Sequence, residues 1–238
     1  MAETVLETEG LTMRFGGVVA VDNVSLKLKA RELRCLIGPN GAGKSTFFKC
    51  LCGLLAPSDG RIFLRGEETT GWEPHQIAAL GVGIKMQVPS VLDGLSVKEN
   101  IWMAARRFND AAGAGRKADE VIARLSLGTI ALTALGRLAH GERQRVELGI
   151  VMAADPWLVL LDEPAAGMTA EEVERMGEII HEMTRSAAVV VVEHDMQFIR
   201  TLASTVTVFH RGRVLMEDHV ERVMADPVVR DVYLGKQA

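Results

Sequence analysis

The stretch GPNGAGKST, Gly38 to Thr46, constrains this chain more than any other part of it. It fits the phosphate-binding loop pattern G-x-x-x-x-G-K-[ST] at every fixed position. Glycines at 38, 41 and 43 free the backbone to wrap tightly, so that successive N–H groups can face a triphosphate. Lys44 brings a point charge to the β- and γ-phosphates, and Ser45 offers a hydroxyl to Mg²⁺. The expected triphosphate-binding set is therefore Gly38, Pro39, Asn40, Gly41, Ala42, Gly43, Lys44, Ser45 and Thr46. The apolar run Cys35-Leu36-Ile37 reads as a buried strand before the loop. Lys44 to Leu55 reads as a helix whose N-terminus faces the phosphates.

The rest of the chain supplies an α/β setting for that loop. Up to about Ile37, apolar and polar residues alternate (Val5, Leu6, Leu11, then Val24, Leu26, Leu28), as in a partly antiparallel sheet. Gly60 to Leu64 is a short strand, and Gly81 to Lys85 is a strand leading to Gln87. From Ser96 to Ala154 the pattern turns helical, with Gly113 and Gly115 expected to mark a break. Trp157 to Leu161 and Val189 to Val192 are continuous apolar runs, the mark of parallel strands buried on both faces. Between them, Ala170 to Arg185 carries one apolar helical face. Ser204 to Met216, turning at Arg211-Gly212, reads as a hairpin, and a short helical tail follows.

Composition narrows the setting. The 238 residues carry a net charge of −4, which gives no basic surface for nucleic acid. Cys35, Cys50 and Cys52 sit in apolar segments, as free thiols of a reducing compartment do. A metal-binding C-x-C pair at 50 and 52 finds no further ligand nearby. MAETVLETEG lacks the pattern of a signal peptide, and no apolar run approaches the ~20 residues that span a bilayer. Any membrane role therefore runs through another chain.

Beyond the loop, the apolar run at 157–161 ends in Asp162-Glu163-Pro164. A carboxylate at the C-terminal edge of a parallel strand is placed for Mg²⁺, and the next one for a water in line with the γ-phosphate. The alternative is that Asp162 caps a turn and Glu163 is solvated. With this set the chain resembles the ATP-binding subunit of an ABC transporter, nearly end to end. The resemblance implies a single ABC ATP-binding domain over 1–238. It would have a phosphate-loop ATPase core at 1–87 and 155–238, an antiparallel β subdomain, and an inserted helical subdomain at about 88–154. It also implies roles. Phe15 stacks on adenine, the alternative being a core Phe. Gln87 touches Mg²⁺ and senses the membrane subunit. Asp162 and Ser45 join Gln87 as the metal set, and Glu163 is the catalytic carboxylate. Ala165-Ala166-Gly167-Met168 forms the D-loop. His194, in VVVVEHD, contacts the γ-phosphate, the alternative being a structural histidine.

Two departures stand out. The family's LSGGQ signature, which grips ATP held by the other subunit, falls at Leu138-Ala139-His140-Gly141-Glu142. Ala139 lacks the serine hydroxyl, a loss of ~1–3 kcal/mol, and Glu142 brings a negative charge. Arg31 stands where relatives carry Gly, and costs about 1 kcal/mol if the turn requires φ > 0. The strings RFGGVVAVDNVS, MQVPSV, LDEPAAGMT, VVVVEHDM and VYLG are similar to importer subunits for branched-chain amino acids, amides and urea.

The expected partners are integral-membrane permease subunits, a second ATP-binding subunit and, indirectly, a periplasmic solute-binding protein, at the cytoplasmic face of the inner membrane. Val88, Val91, Leu92 and Leu95 are candidates for a permease-docking groove, or else fill the helical subdomain's own core. Three other functions compete with this one. One is an ATP-dependent dimerisation module with weak turnover. Another is a soluble ABC protein of repair or translation, which would carry two cassettes or long coiled coils. A GTP switch lacks its N-K-x-D motif here.

Overall fold

The computed structural model describes residues 3–87 and 91–233. The chain opens with two long strands, β1 (Thr4–Phe15) and β2 (Val18–Lys29), followed by β3 (Leu33–Ile37) and helix α1 (Lys44–Leu51). Next come β4 (Asp59–Leu64), β5 (Glu67–Glu68), α2 (Pro74–Ala79) and β6 (Val82–Lys85). Three helices follow, α3 (Val97–Ala105), α4 (Ala111–Arg124) and α5 (His140–Met152). The chain then runs through β7 (Leu158–Asp162), α6 (Ala170–Met183), β8 (Ala188–Val192) and α7 (Met196–Leu202). It closes with the hairpin β9 (Thr205–His210) and β10 (Arg213–His219), then α8 (Val220–Ala225) and α9 (Pro227–Tyr233).

Two sheets result. The four-stranded sheet β2-β1-β4-β5 is antiparallel throughout. The six-stranded sheet runs β10-β9-β3-β8-β7-β6, parallel from β9 to β6, with β10 antiparallel at one edge. Period-two alternation divides its side chains between two cores. Cys35, Ile37, Val159, Leu161, Val189 and Val191 face the helical layer of α3 to α9. Leu36, Leu158, Leu160, Val190 and Val192 face α1 and the antiparallel sheet, including Phe47, Leu6 and Leu28. Burial on both faces explains why β7 and β8 read as unbroken apolar runs.

The expected strands and hairpin are all present, and Arg211 and Gly212 turn the hairpin with φ of 49° and 81°. All three cysteines are free and buried. Two expectations need correction. The helix after the phosphate loop ends at Leu51 and not at Leu55. Gly53 takes φ 72°, and a Cβ there would overlap the Trp72 carbonyl, so the chain must turn away. Gly113 and Gly115 do not break the helical segment but lie in the first turns of α4. The break is at 106–110, where the Asp110 side chain caps α4 by accepting from the Gly113 N–H at 2.6 Å.

In the segment after Gln87, Val88 lies outside the described residues. Val91 is partly buried against the helical core, whereas Leu92 is exposed. Buried Asn100 organises this stretch: its amide bonds the Leu92 N–H and carbonyl at 3.0 and 3.1 Å. Among the described residues no helix is long and apolar enough to cross a membrane.

Arg31 sits at φ 59°, the left-handed region that disfavours a Cβ. Replacing Arg31 by Gly is expected to stabilise the fold by up to about 1 kcal/mol, and Arg31→Val to destabilise it by a similar amount. Urea unfolding midpoints of the two variants check this.

Candidate nucleotide site

The parallel strands bring four loops to one edge. The phosphate loop follows β3, Gln87 follows β6, Asp162 ends β7 with Glu163 next, and His194 follows β8. This is the carboxyl edge at which α/β sheets take ligands.

The phosphate loop has the shape its glycines allow. Gly38 and Gly43 take φ of 145° and 101°; a Cβ on them would overlap the carbonyls of Phe209 and Ala20. Lys44 is buried and curls back over the loop, donating from Nζ to the carbonyls of Gly38 at 2.6 Å and Pro39 at 3.0 Å. Burial lowers its pKa, against the raising pull of Glu163 and Asp162. A cavity of about 370 Å³ opens in front of the loop. Its walls are residues 40–46, Phe15, Ala20 and Glu163, and the Phe15 ring is 48% exposed, so it is not a core residue.

Glu163 lies between two other loops. Gln87 Nε2 donates to its Oε2 at 3.1 Å, and His194 Nδ1 stands 3.4 Å from its Oε1. Its backbone is strained, at φ 47°, and its N–H is fixed to the Val192 carbonyl at 2.9 Å. Asp162 beside it is buried. Desolvation raises its pKa, and repulsion from Glu163 adds to the rise. Ser45 is exposed at the start of α1.

One residue that shapes the site escaped the sequence reading. Glu193 is 2% exposed and accepts the N–H groups of Ala165 at 3.3 Å and His194 at 3.0 Å. It ties the loop after β8 to the loop after β7. Burial raises its pKa first, and these backbone bonds oppose the rise. In the sequence it is only one of the acidic residues after a strand; its sole signal is its place next to His194.

Leu138 to Glu142 do not line the cavity. They start α5, with Ala139 as N-cap and no side-chain cap. Glu142 supplies half of the capping arrangement, accepting the Ala139 N–H at 3.0 Å. His140 Nε2 is 2.8 Å from the Ala166 carbonyl, joining this segment to the turn after Glu163. Gly141 packs so closely against the Glu172 carboxylate that a Cβ would overlap it.

A glycine-rich loop at a helix start, a lysine folded over it and an adjacent acidic strand end define a phosphate-loop nucleoside triphosphatase. The chain belongs to the ABC transporter family, which matches residues 21–166. It is 34% identical over 254 residues to the high-affinity branched-chain amino acid transport ATP-binding protein BraF of Pseudomonas aeruginosa, covering 99% of this chain and 100% of that one. It is 33% identical over the same span to LivG of Escherichia coli, also a high-affinity branched-chain amino acid transport ATP-binding protein. The lipopolysaccharide export system ATP-binding protein LptB of Acidithiobacillus ferridurans is 31% identical, with 98% of each chain covered.

Among solved structures, a nucleotide-free ATP-binding cassette superposes with a TM-score of 0.87 at 23% identity, covering 96% of this chain and 98% of that one. Another cassette in its ADP conformation gives the same TM-score and identity, with 98% and 99% covered. The protein is thus an ABC ATPase, binding ATP and hydrolysing it for transport.

Glu193→Ala leaves the buried Ala165 N–H and the part-buried His194 N–H without this acceptor. It is expected to cost about 2–4 kcal/mol in denaturant unfolding, and Glu193→Gln less, because an amide oxygen still accepts.

Proposed function

We propose that this chain powers import of branched-chain amino acids or chemically related amides or urea. ATP would lie between its phosphate loop and the signature of a second ATP-binding subunit. The observation that supports this reading most directly is Glu163, held by Gln87 and His194 at the wall of the phosphate-loop cavity. A carboxylate so held is placed to take a proton from an attacking water. His194 is near enough to fix a γ-phosphate beside it, and Phe15 offers a face to adenine. Lys44 would exchange its two carbonyl partners for phosphate oxygens. Burial disfavours its charge, and a phosphate relieves that cost. The division into core (1–87, 155–238) and helical insert (about 88–154) is part of this reading.

The residues present suit Mg²⁺. Among the described residues no group of three or more His, Cys, Asp or Glu is arranged to hold a metal. Mg²⁺ bound mainly through phosphates and water needs only one or two protein oxygens. The Ser45 hydroxyl, the buried Asp162 carboxylate and the Gln87 amide would supply them. The ion neutralises phosphate charge. Branched-chain specificity rests on the likeness to BraF and LivG. Permease subunits, a second ATP-binding subunit and a periplasmic solute-binding protein complete the assembly, with this chain at the cytoplasmic membrane face.

Lys44→Ala is expected to abolish MgATP binding in calorimetric titration, while Glu163→Gln binds ATP normally and hardly turns over. Wild-type affinity in the first, or wild-type single-turnover rates in the second, would sink the assignment.

A second reading, weak turnover at the site this chain's signature completes, is favoured by the bare N-cap at Ala139. A missing hydroxyl worth ~1–3 kcal/mol corresponds to roughly five- to 150-fold. Ala139→Ser should therefore speed ATP turnover at the partner subunit's site. ATPase assays of the reconstituted pair, with the catalytic glutamate removed from one subunit at a time, check this; equal rates from both half-disabled pairs overturn the asymmetry.

A further inference from the structure

A buried ion pair lies outside the lining of the nucleotide cavity, although the Lys85 charge reaches Asp162 and pulls its pKa down against the desolvation that raises it. Lys85, on β6, and Glu147, on α5, are 4% and 5% exposed, with Nζ 3.3 Å from Oε2. Among the described residues, neither Lys85 Nζ nor either Glu147 oxygen makes a hydrogen bond of good geometry. One turn earlier on α5, Arg143 stands 3.7 Å from Glu147 Oε1 and pairs with Asp93 at 2.8 Å. A buried pair with so few hydrogen bonds is a poor source of stability, and well-packed apolar residues would serve as well or better. Its value must therefore be sought in what it aligns.

The register supplies the answer. Gly83 and Lys85 lie on one face of β6, two residues apart. Val151 and Glu147 lie on one face of α5, one turn apart. Gly83 lets the helix close in, since a Cβ there would collide with Val151 Cγ1. The ion pair is the next contact along both elements. From Lys85, the last residue of β6, the chain runs two residues on to Gln87, which bonds Glu163. In the other direction α5 runs back to Gly141 and Ala139. The pair thus joins the strand that carries Gln87 to the helix that carries the signature.

We infer that Lys85 and Glu147 are positioning residues for ATP hydrolysis. Their charge contact sets the register of α5 on β6, and through it the hold of Gln87 on Glu163 and the placement of residues 138–142. This rests on the roles proposed above for Gln87 and Glu163.

The test uses the complex purified from membranes through a tag on this chain. Lys85→Met and Glu147→Leu are each expected to lower the unfolding midpoint, because each leaves one buried charge alone. The double variant Lys85→Met/Glu147→Leu should recover the midpoint while kcat stays at least about tenfold low, with KM and MgATP affinity within about twofold. The reversed pair Lys85→Glu/Glu147→Lys should regain part of kcat. A double variant with wild-type kcat overturns the inference, since the pair would then be structural only. If that variant does not fold, Glu147→Gln decides, because it keeps the side-chain volume. A loss of about tenfold in kcat at unchanged MgATP affinity supports positioning, and unchanged kcat overturns it. A failure of the underlying reading looks different: Glu163→Gln would then turn over at the wild-type single-turnover rate.

Discussion

The nucleotide edge depends on one parallel hydrogen-bond ladder, through β3, β8, β7 and β6. Residue by residue, it pairs Leu36 with Val192, Asp162 with Val192 and Lys85 with Leu161. Four strand ends therefore stop level with one another, and the loops that leave them meet without needing length or flexibility. A slip of one residue in β7 would turn Asp162 to the opposite face. The dense apolar burial of both faces, with Val159 and Leu161 enclosed on one and Leu158 on the other, makes such a slip costly. The chemistry is thus placed by hydrophobic packing several residues away from it.

On that base the loops restrain one another. Glu163 occupies a left-handed backbone state that a glutamate does not choose by itself. It is kept there by the Val192 carbonyl, by Gln87 and by the neighbouring His194. Glu193 reinforces the arrangement from beneath, by accepting N–H groups from both adjoining loops. Strain at one residue is tolerable when three neighbouring segments determine its position. Such a side chain is already oriented before a nucleotide enters, which spares ordering entropy at the moment of binding.

Much of this was legible in the sequence because its signals are local. The phosphate loop, Asp162-Glu163 and His194 each sit directly after an apolar run, so a strand and its edge could be read together. Phe15 could be read only through resemblance, and its exposure beside the loop agrees with it. What escaped depends on contacts distant in sequence. Glu193 acts through Ala165, and His140 reaches Ala166 across 26 positions. Lys85 meets Glu147 only because two elements dock at Gly83. The end of α1 was missed for the same reason: Trp72, far along the chain, forces the turn at Gly53. Gly113 and Gly115 misled because glycine was weighed as a breaker, whereas Asp110 nearby provides a cap that overrides the propensity.

The altered signature gains a structural account as well. In sequence, Ala139 and Glu142 look like two independent losses. In the fold they belong together, because the Glu142 carboxylate turns back onto the Ala139 N–H and takes up a donor at the start of α5. Its charge then lies at the positive end of a helix, where a carboxylate is favoured by about 0.3–1 kcal/mol. The helix start therefore stays capped at the Ala139 N–H without a serine. His140 and Gly141 meanwhile fix the segment to Ala166 and Glu172, so its position is set by the turn that follows Glu163. Relatives named for branched-chain amino acid transport and for lipopolysaccharide export resemble this chain to nearly the same degree. What such chains hold in common must then be the ATP-driven machinery, and cargo choice must lie in chains that meet the cargo. On the reading proposed above, a departure at Ala139 would bear on the rate at which the machinery turns over and would leave what it carries unchanged.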